Sequence, residues 1–139
     1  MKRFVLVCIA CSALIAFASP NAKAIAPFKK AFQQTYVDPS DNEAFKEAFK
    51  KASCNTCHVK GEKKTVRNTY GEELSKLIEG DANDRIKDAG KEGGAAGRKA
   101  ETEKVLKELH KAFEEVAKKK TEGGQTYGEM FKNGELPTK

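Results

Sequence analysis

The sequence predicts a single, small, all-α domain. Its 139 residues suffice for one domain and are too few for two domains with a cleft between them. Apolar residues recur at helical spacing in several segments, and no segment shows the strict alternation that is typical of a half-buried strand. A mean hydropathy of −0.64 excludes a chain built mainly of membrane spans.

The first 24 residues have the features of a secretory signal peptide. Two basic residues precede an apolar run over residues 4–18, and Ala22-Lys23-Ala24 forms a cleavage pattern. Cleavage there would remove three basic residues and no acidic one, which lowers the formal charge from +6 to +3. We therefore expect a periplasmic or otherwise exported protein whose domain covers residues 25–139, with no membrane span after cleavage. An uncleaved membrane anchor is the alternative.

The first two predicted helices lie before the cysteines of this domain. Phe28 and Phe32 indicate a short helix that ends before Asp38-Pro39, because a residue that precedes proline avoids helical geometry. Ser40 and Glu43 form a capping-box pattern that opens a second helix. The apolar positions of this helix are Phe45, Ala48, Phe49 and Ala52.

The later helices show equally clear signals. Thr69 and Glu72 form a capping-box pattern before a third helix, whose apolar stripe is Tyr70, Leu74, Leu77 and Ile78. Residues 81–89 predict a short helical segment, and the four glycines within residues 90–97 predict a flexible loop. The longest helix is expected over residues 98–119, and its apolar stripe is Val105, Leu109, Ala112, Phe113 and Val116.

The sequence Thr-Tyr-Gly-Glu occurs twice, at residues 69–72 and at residues 126–129. Each copy stands at the predicted start of a short helix. Two copies of four residues are too few for a repeat architecture, so shared capping chemistry explains them better.

The motif that carries chemistry is Cys54-Asn55-Thr56-Cys57-His58, a C-x-x-C-H pattern. It is typical of covalently attached haem c (heme c). Two thiols at this spacing can each form a thioether with one haem vinyl group, and the next imidazole can then bind the iron. We predict that Cys54 and Cys57 hold the haem and that His58 is the proximal ligand through Nε2, with Nδ1–H held by a backbone carbonyl.

Other interpretations of the cysteine pair stay open. A disulfide across so short a loop gains little from loop closure, and a redox-active pair usually lies in a βαβ context that is not evident here. A closed zinc site needs four ligands, and His110 is the one further Cys or His of the predicted mature chain. The spacing C-x-x-C also occurs by accident, since Cys8 and Cys11 share it without a following His.

An exported chain whose Phe- and Ala-rich helix runs into C-x-x-C-H resembles the small soluble class I cytochromes c. The resemblance covers the arrangement of residues 41–120, and only residues 54–58 are specific. It implies a small cytochrome c-like helical domain wrapped around one covalently bound haem, with His and Met on opposite sides of the iron. It also implies a mono-haem one-electron carrier between redox proteins rather than an enzyme. The side chains we expect around the porphyrin are Phe28, Phe32, Phe45, Phe49, Leu74, Leu77, Ile78, Leu109 and Phe113.

The second iron ligand is where this sequence departs from the family, whose distal Met lies in a Pro-containing loop before the last helix. Met130 follows the longest helix and has no proline just before it. Its soft thioether favours it as ligand, yet Tyr127, Met130 and Phe131 also form a stripe that would pack on a core. His110 lies on the flank of the longest apolar stripe, which favours an ordinary half-exposed histidine. Water, an open site or a ligand from another chain are the remaining alternatives.

The sixth iron position decides between two functions. A filled position favours electron transfer, whereas an open one in an apolar pocket would suit a five-coordinate haem sensor or a peroxidase-like protein. The sequence contains no phosphate-binding Gly-rich motif and no evident Ser-His-Asp arrangement.

Four basic residues follow the cysteine motif closely: Lys60, Lys63, Lys64 and Arg67. A solvated loop is one interpretation, and a docking rim for acidic redox partners is the other. The arginines are scattered and no aromatic stacking platform accompanies them, so nucleic acid is not an expected partner.

Overall fold

The structure, a computed structural model, describes residues 26–138. The predicted signal peptide, with Cys8 and Cys11, lies outside the described residues. The α-helices of the described part are α1 (Ala26–Phe32), α2 (Glu43–Ala52), α3 (Thr69–Ser75), α4 (Ala82–Ala117) and α5 (Tyr127–Lys132). This part contains no strand, and two isolated β-bridges join His58 to Arg67 and Lys120 to Thr126. The predicted all-α class is therefore confirmed.

One aromatic cluster joins all five helices. The ring of Phe32 in α1 lies 5.5 Å from Phe49 in α2 and 6.0 Å from Tyr70 in α3. The same ring lies 6.0 Å from Phe113 in α4 and 5.3 Å from Phe131 in α5. These centroid separations are those at which aromatic pairs attract one another beyond simple burial. The core is thus built on α1, and the other four helices pack around it.

Helical periodicity predicted most of the buried side chains correctly. The whole predicted stripe of the longest helix is buried, namely Val105, Leu109, Ala112, Phe113 and Val116. Leu77 is 41% exposed, so its predicted place in the core is wrong. Phe28 and Ile78 are partly buried against the cluster.

The starts of α2 and α3 differ from the predicted capping boxes. Asn42 caps α2 by accepting a hydrogen bond from the backbone N–H of Phe45 at 3.1 Å. Asn68 caps α3 by accepting from the N–H of Gly71 at 2.9 Å. Asn is as good a cap as Ser and a better one than Thr. The predicted caps at Ser40 and Thr69 are therefore wrong by one or two residues.

Helix α4 is a hairpin of two helical arms rather than one rod. The chain reverses at Gly94, whose φ of 59° and ψ of −144° are available to glycine and strained for other residues. A Cβ at Gly97 would stand 2.3 Å from the carbonyl oxygen of Ala89, so the two arms touch through their backbones. Arg85 of the first arm pairs with Glu101 and Glu108 of the second at 2.7 and 2.8 Å. The predicted flexible loop over residues 90–97 is wrong, because its small residues allow this close helix contact.

Among the described residues, no helix combines the length and the apolar character that crossing a membrane requires.

Candidate functional site

The cysteine motif forms a tight turn directly after α2, which we call the cysteine turn (residues 53–58). Helix α2 ends as Ser53 takes a positive φ of 51°, and a 3-10 turn follows over Ser53–Thr56. The backbone N–H groups of Cys57 and His58 both donate to the carbonyl of Cys54, each at 3.2 Å. This bonding places both thiols and the imidazole on one turn of backbone. The prediction that α2 leads directly into Cys54 is confirmed.

The two thiols are unpaired and partly buried. Cys54 and Cys57 are both free cysteines of intermediate exposure. Burial raises the pKa of the Cys57 thiol to about 12, and the neighbouring Cys54 acts in the same direction. A redox-active cysteine instead needs a lowered pKa, because the thiolate is the reactive form. The raised pKa therefore disfavours Cys57 itself as an attacking thiolate.

His58 carries a polar atom that the described residues leave without a partner. Its Nδ1 is buried and forms no hydrogen bond within the part of the chain that the structure describes. The expectation that a backbone carbonyl holds Nδ1–H concerns the haem-bound imidazole and stays a prediction. Burial lowers the pKa of His58, and the charges of Lys64 and Arg67 contribute to the lowering. A neutral imidazole is the form that binds iron and other metals.

Helix α3 supports the cysteine turn from the side. A Cβ at Gly71 would lie 2.1 Å from the carbonyl oxygen of Cys57, so α3 reaches the turn because this position has no side chain. The side-chain amide of Asn68 donates to the carbonyls of Thr56 and Asn55 at 3.0 and 3.3 Å. The sequence patterns indicated neither Gly71 nor Asn68 as part of the site. Asn68 could have been found only as a competing cap, since its partners lie 12 and 13 residues away.

The basic loop, residues 59–67, lies beside the cysteine turn. The Nζ of Lys64, near the middle of the loop, donates to the side-chain oxygen of Asn55 in the turn at 3.0 Å. Lys60, Lys63 and Lys64 are exposed. Val66, in the same loop, is 41% exposed. Positive charge therefore surrounds one side of the cysteine turn.

The two candidates for the second iron ligand have different environments. Met130, in α5, is partly buried and packs against the aromatic cluster that Cys57 also contacts. His110, in α4, is exposed, and its ring lies 6.0 Å from Phe113. The core thus holds Met130 and leaves His110 on the surface.

A covalently attached haem fits the residues of this turn. Two unpaired thiols at the required spacing are followed by an imidazole whose pKa burial lowers, and an aromatic cluster contacts Cys57. In residues 26–138 no group of three or more Cys, His, Asp or Glu side chains could hold a metal ion by itself. A zinc site therefore has less support than haem in the described chain.

No protein-family model matches the chain, and no significant match was found among curated proteins or solved structures. The function is therefore inferred from the residues of the site.

Proposed function

We propose that the protein is an exported mono-haem c-type cytochrome that carries single electrons between redox proteins outside the cytoplasm. The observation that carries the proposal is the cysteine turn itself. Cys54, Cys57 and His58 lie on one turn of backbone, the thiols are unpaired, and burial lowers the pKa of the imidazole, which favours its neutral, metal-binding form.

Each residue of the turn has a distinct role in this proposal. Cys54 and Cys57 would hold the haem through thioether bonds to its two vinyl groups. His58 would bind the iron from the adjacent position. Because two covalent bonds would keep the haem iron close to the imidazole, the iron would be at high effective concentration. The imidazole of His58 would therefore not dissociate easily from it. When bound, the haem supplies a one-electron Fe(III)/Fe(II) couple.

Electron transfer is favoured over catalysis by the position of Met130. A thioether is a soft axial ligand, and α5 already places Met130 at the aromatic cluster that contacts Cys57. A protein-supplied sixth ligand would block access for other molecules. His110 is exposed and so serves as the matched residue that should not bind the iron of its own chain.

The basic loop supplies the proposed docking surface for acidic redox partners. Its exposed lysines lie beside the cysteine turn, and Lys64 donates a hydrogen bond to Asn55 of the turn. Opposite charge on a partner would raise the association rate and orient the partner toward this turn. Export follows from the signal peptide predicted over residues 1–24, and the predicted mature chain begins at residue 25.

Absorption spectra of three purified proteins test this function: the wild type, Met130→Leu and His110→Ala. We expect low-spin bands in the wild type, with a weak near-infrared sulfur–iron band that Met130→Leu abolishes. Leu keeps the apolar volume of Met, so the fold should survive. His110→Ala should keep the wild-type spectrum.

Two outcomes would contradict the proposal. High-spin bands together with carbon monoxide binding in the wild type would indicate a five-coordinate haem sensor or peroxidase-like protein instead. A preparation without a Soret band would indicate a haem-free thiol protein.

A further inference from the structure

The buried polar side chains of the described residues lie in the cysteine turn or directly beside it. Among residues 26–138, the buried polar side chains are Thr56, 2% exposed, and Asn68, 4% exposed. The Thr56 hydroxyl donates to the carbonyl of Ser53 at 2.9 Å, and the Thr56 carbonyl accepts from Asn68. Burying polar groups costs stability unless they are hydrogen-bonded, so such groups usually hold a defined arrangement.

Every polar group of Asn68 has a partner. Its backbone N–H donates to the carbonyl of Cys57 at 3.1 Å, and its backbone carbonyl accepts from Glu72 at 2.9 Å. Its side-chain oxygen caps α3, as described above. Its side-chain amide contacts the carbonyls of Asn55 and Thr56 and, in addition, the carbonyl of Pro137. Asn68 therefore connects the cysteine turn, α3 and the chain's last residues.

The C-terminal tail, residues 134–138, reaches Asn68 by a defined path. Glu135 is held near α5, because its N–H donates to the carbonyl of Met130 at 2.9 Å and its side chain accepts from Gln125 at 2.8 Å. A Cβ at Gly134 would lie 2.2 Å from the side-chain nitrogen of Asn42, so the tail passes directly over the start of α2. Leu136 then packs against the aromatic cluster.

We infer that Asn68 is a positioning residue that fastens the C-terminal tail to the cysteine turn, so that the order of Cys57 and His58 depends on the tail. The amide has two hydrogens shared among three carbonyl acceptors, two from the turn and one from the tail. Loss of the tail's carbonyl would free Asn68 to shift, and loss of the amide would release both segments together.

The consequence of this contact for the haem rests on the proposed function. In a loaded protein the backbone of Cys57 and His58 sets the position of one thioether and of the proximal imidazole. Outer contacts of this kind orient iron ligands and tune the metal. The tail, which is distant in sequence from the cysteine motif, would thus influence the reduction potential through Asn68.

Hydrogen–deuterium exchange of Asn68→Ser, with Asn42→Ser as control, tests the contact. Ser can replace Asn as a helix cap but has no amide to donate. We expect exchange on the order of tenfold faster in both residues 54–58 and residues 134–138 of Asn68→Ser, from the loss of about one net hydrogen bond per segment. Asn42→Ser should affect the first turn of α2 and leave residues 54–58 unchanged.

A chain that ends at Glu135 gives the reciprocal test. Because coupling between two segments acts in both directions, removing the last residues should accelerate exchange at Cys57 and His58 by a similar factor. Unchanged exchange of residues 54–58 in this truncated chain would overturn the inference. Faster exchange of the cysteine turn alone in Asn68→Ser, with an unaltered tail, would overturn it as well.

The exchange is measured on the full chain as purified, with or without haem. A colourless preparation would therefore contradict the proposed function while the exchange pattern still decides the inference. In a loaded preparation we also expect Asn68→Ser, and not Asn42→Ser, to shift the reduction potential. An unchanged potential beside altered exchange would overturn the proposed influence on the haem.

Discussion

The two copies of Thr-Tyr-Gly-Glu begin helices in different registers. In the first copy Asn68 is the cap and Thr69 is already the first helical residue. In the second copy Thr126 is the cap, and Glu129 completes a capping box with it. The difference comes from the preceding residue, because Asn68 is a strong cap and Gln125 is not. Four identical residues therefore do not fix a helix start.

Both copies are nevertheless attached to the end of the preceding structure in a similar way. The N–H of Asn68 donates to the carbonyl of Cys57 at 3.1 Å, and the N–H of Tyr127 donates to the carbonyl of Lys119 at 3.0 Å. The rings of Tyr70 and Tyr127 then pack against each other at 5.0 Å. The first copy lies beside the cysteine turn, which carries the thiols and the imidazole, whereas the second copy follows the three lysines at residues 118–120.

The copies differ most in how closely their glycines approach the chain. A Cβ at Gly71 would lie 2.1 Å from the Cys57 oxygen, whereas one at Gly128 would lie 3.1 Å from the Ala117 oxygen. The copy that contacts the cysteine turn is thus the more tightly packed. The candidate site is therefore held by close backbone contact as well as by the hydrogen bonds within its own turn.

Replacing each glycine by alanine should give the largest difference between the copies. Gly71→Ala forces α3 or the cysteine turn to move, and we expect a loss of about 1–3 kcal/mol in the free energy of unfolding. Gly128→Ala needs a shift of only a few tenths of an ångström and gains helix propensity, so its effect should stay within about 1 kcal/mol. Urea denaturation measures both, and equal losses would refute the difference in packing.

Charge reversal tests whether the basic surfaces beside the two copies differ in function. Lys60→Glu/Lys63→Glu should slow electron exchange with an acidic redox protein about tenfold at low ionic strength, because it removes electrostatic steering. The control variant, Lys118→Glu/Lys120→Glu, makes the same change of charge in the segment before the second copy. It should leave the rate of electron exchange nearly unchanged. Stopped-flow rates at low and high salt check this. Similar slowing by both variants would mean that only net charge matters.

The different registers predict different roles for the two threonines. Thr126→Ala removes a cap and should cost about 1 kcal/mol of stability. Thr69→Ala changes a first-turn residue that caps nothing, so its cost should be below about 0.5 kcal/mol. Thermal unfolding of the two variants separates them, and a larger loss for Thr69→Ala would contradict the assigned helix starts.

The smallest effect concerns stability in acid and involves Glu73, which follows the first copy and pairs with Lys119, in the segment before the second copy. Hydrogen bonds from Lys119 and then Lys76 lower the pKa of Glu73 from its ordinary value of 4.5. The ionised form therefore stabilises the folded protein above that value, and this contribution is lost as the pH falls through the lowered pKa. Glu73→Gln should slightly flatten the decline in urea midpoint below about pH 4.5. If the decline in urea midpoint is the same in Glu73→Gln as in the wild type, solvent screens the interaction of Glu73 with Lys119 and Lys76 completely.

Local signals made part of the structure predictable from the sequence. The buried stripe of α4 follows from the 3.6-residue period, and C-x-x-C-H is recognisable because its residues are neighbours. The cap positions were predicted wrongly because several capping residues stand side by side, as at Ser40 and Asn42. Local chemistry alone does not decide between such neighbours.

Long-range contacts account for what the sequence could not predict. The hairpin at Gly94 depends on two arms touching through small residues, which in sequence resemble a flexible loop. Asn68 and Pro137 are 69 residues apart, so no spacing pattern reveals their contact. Leu77 continues the helical stripe of α3 in sequence, yet α3 ends at Ser75 and Leu77 is 41% exposed.

Covalent attachment of haem to Cys54 and Cys57 is tested by the mass of the denatured full chain, purified from a host that attaches haem c. Cys54→Ser/Cys57→Ser is the matched control, because it removes two sulfur atoms and keeps His58. The wild type should retain the mass of one haem after denaturation and be coloured, and the control should have the mass of its polypeptide. A colourless wild type whose mass equals that of the polypeptide alone would contradict the account.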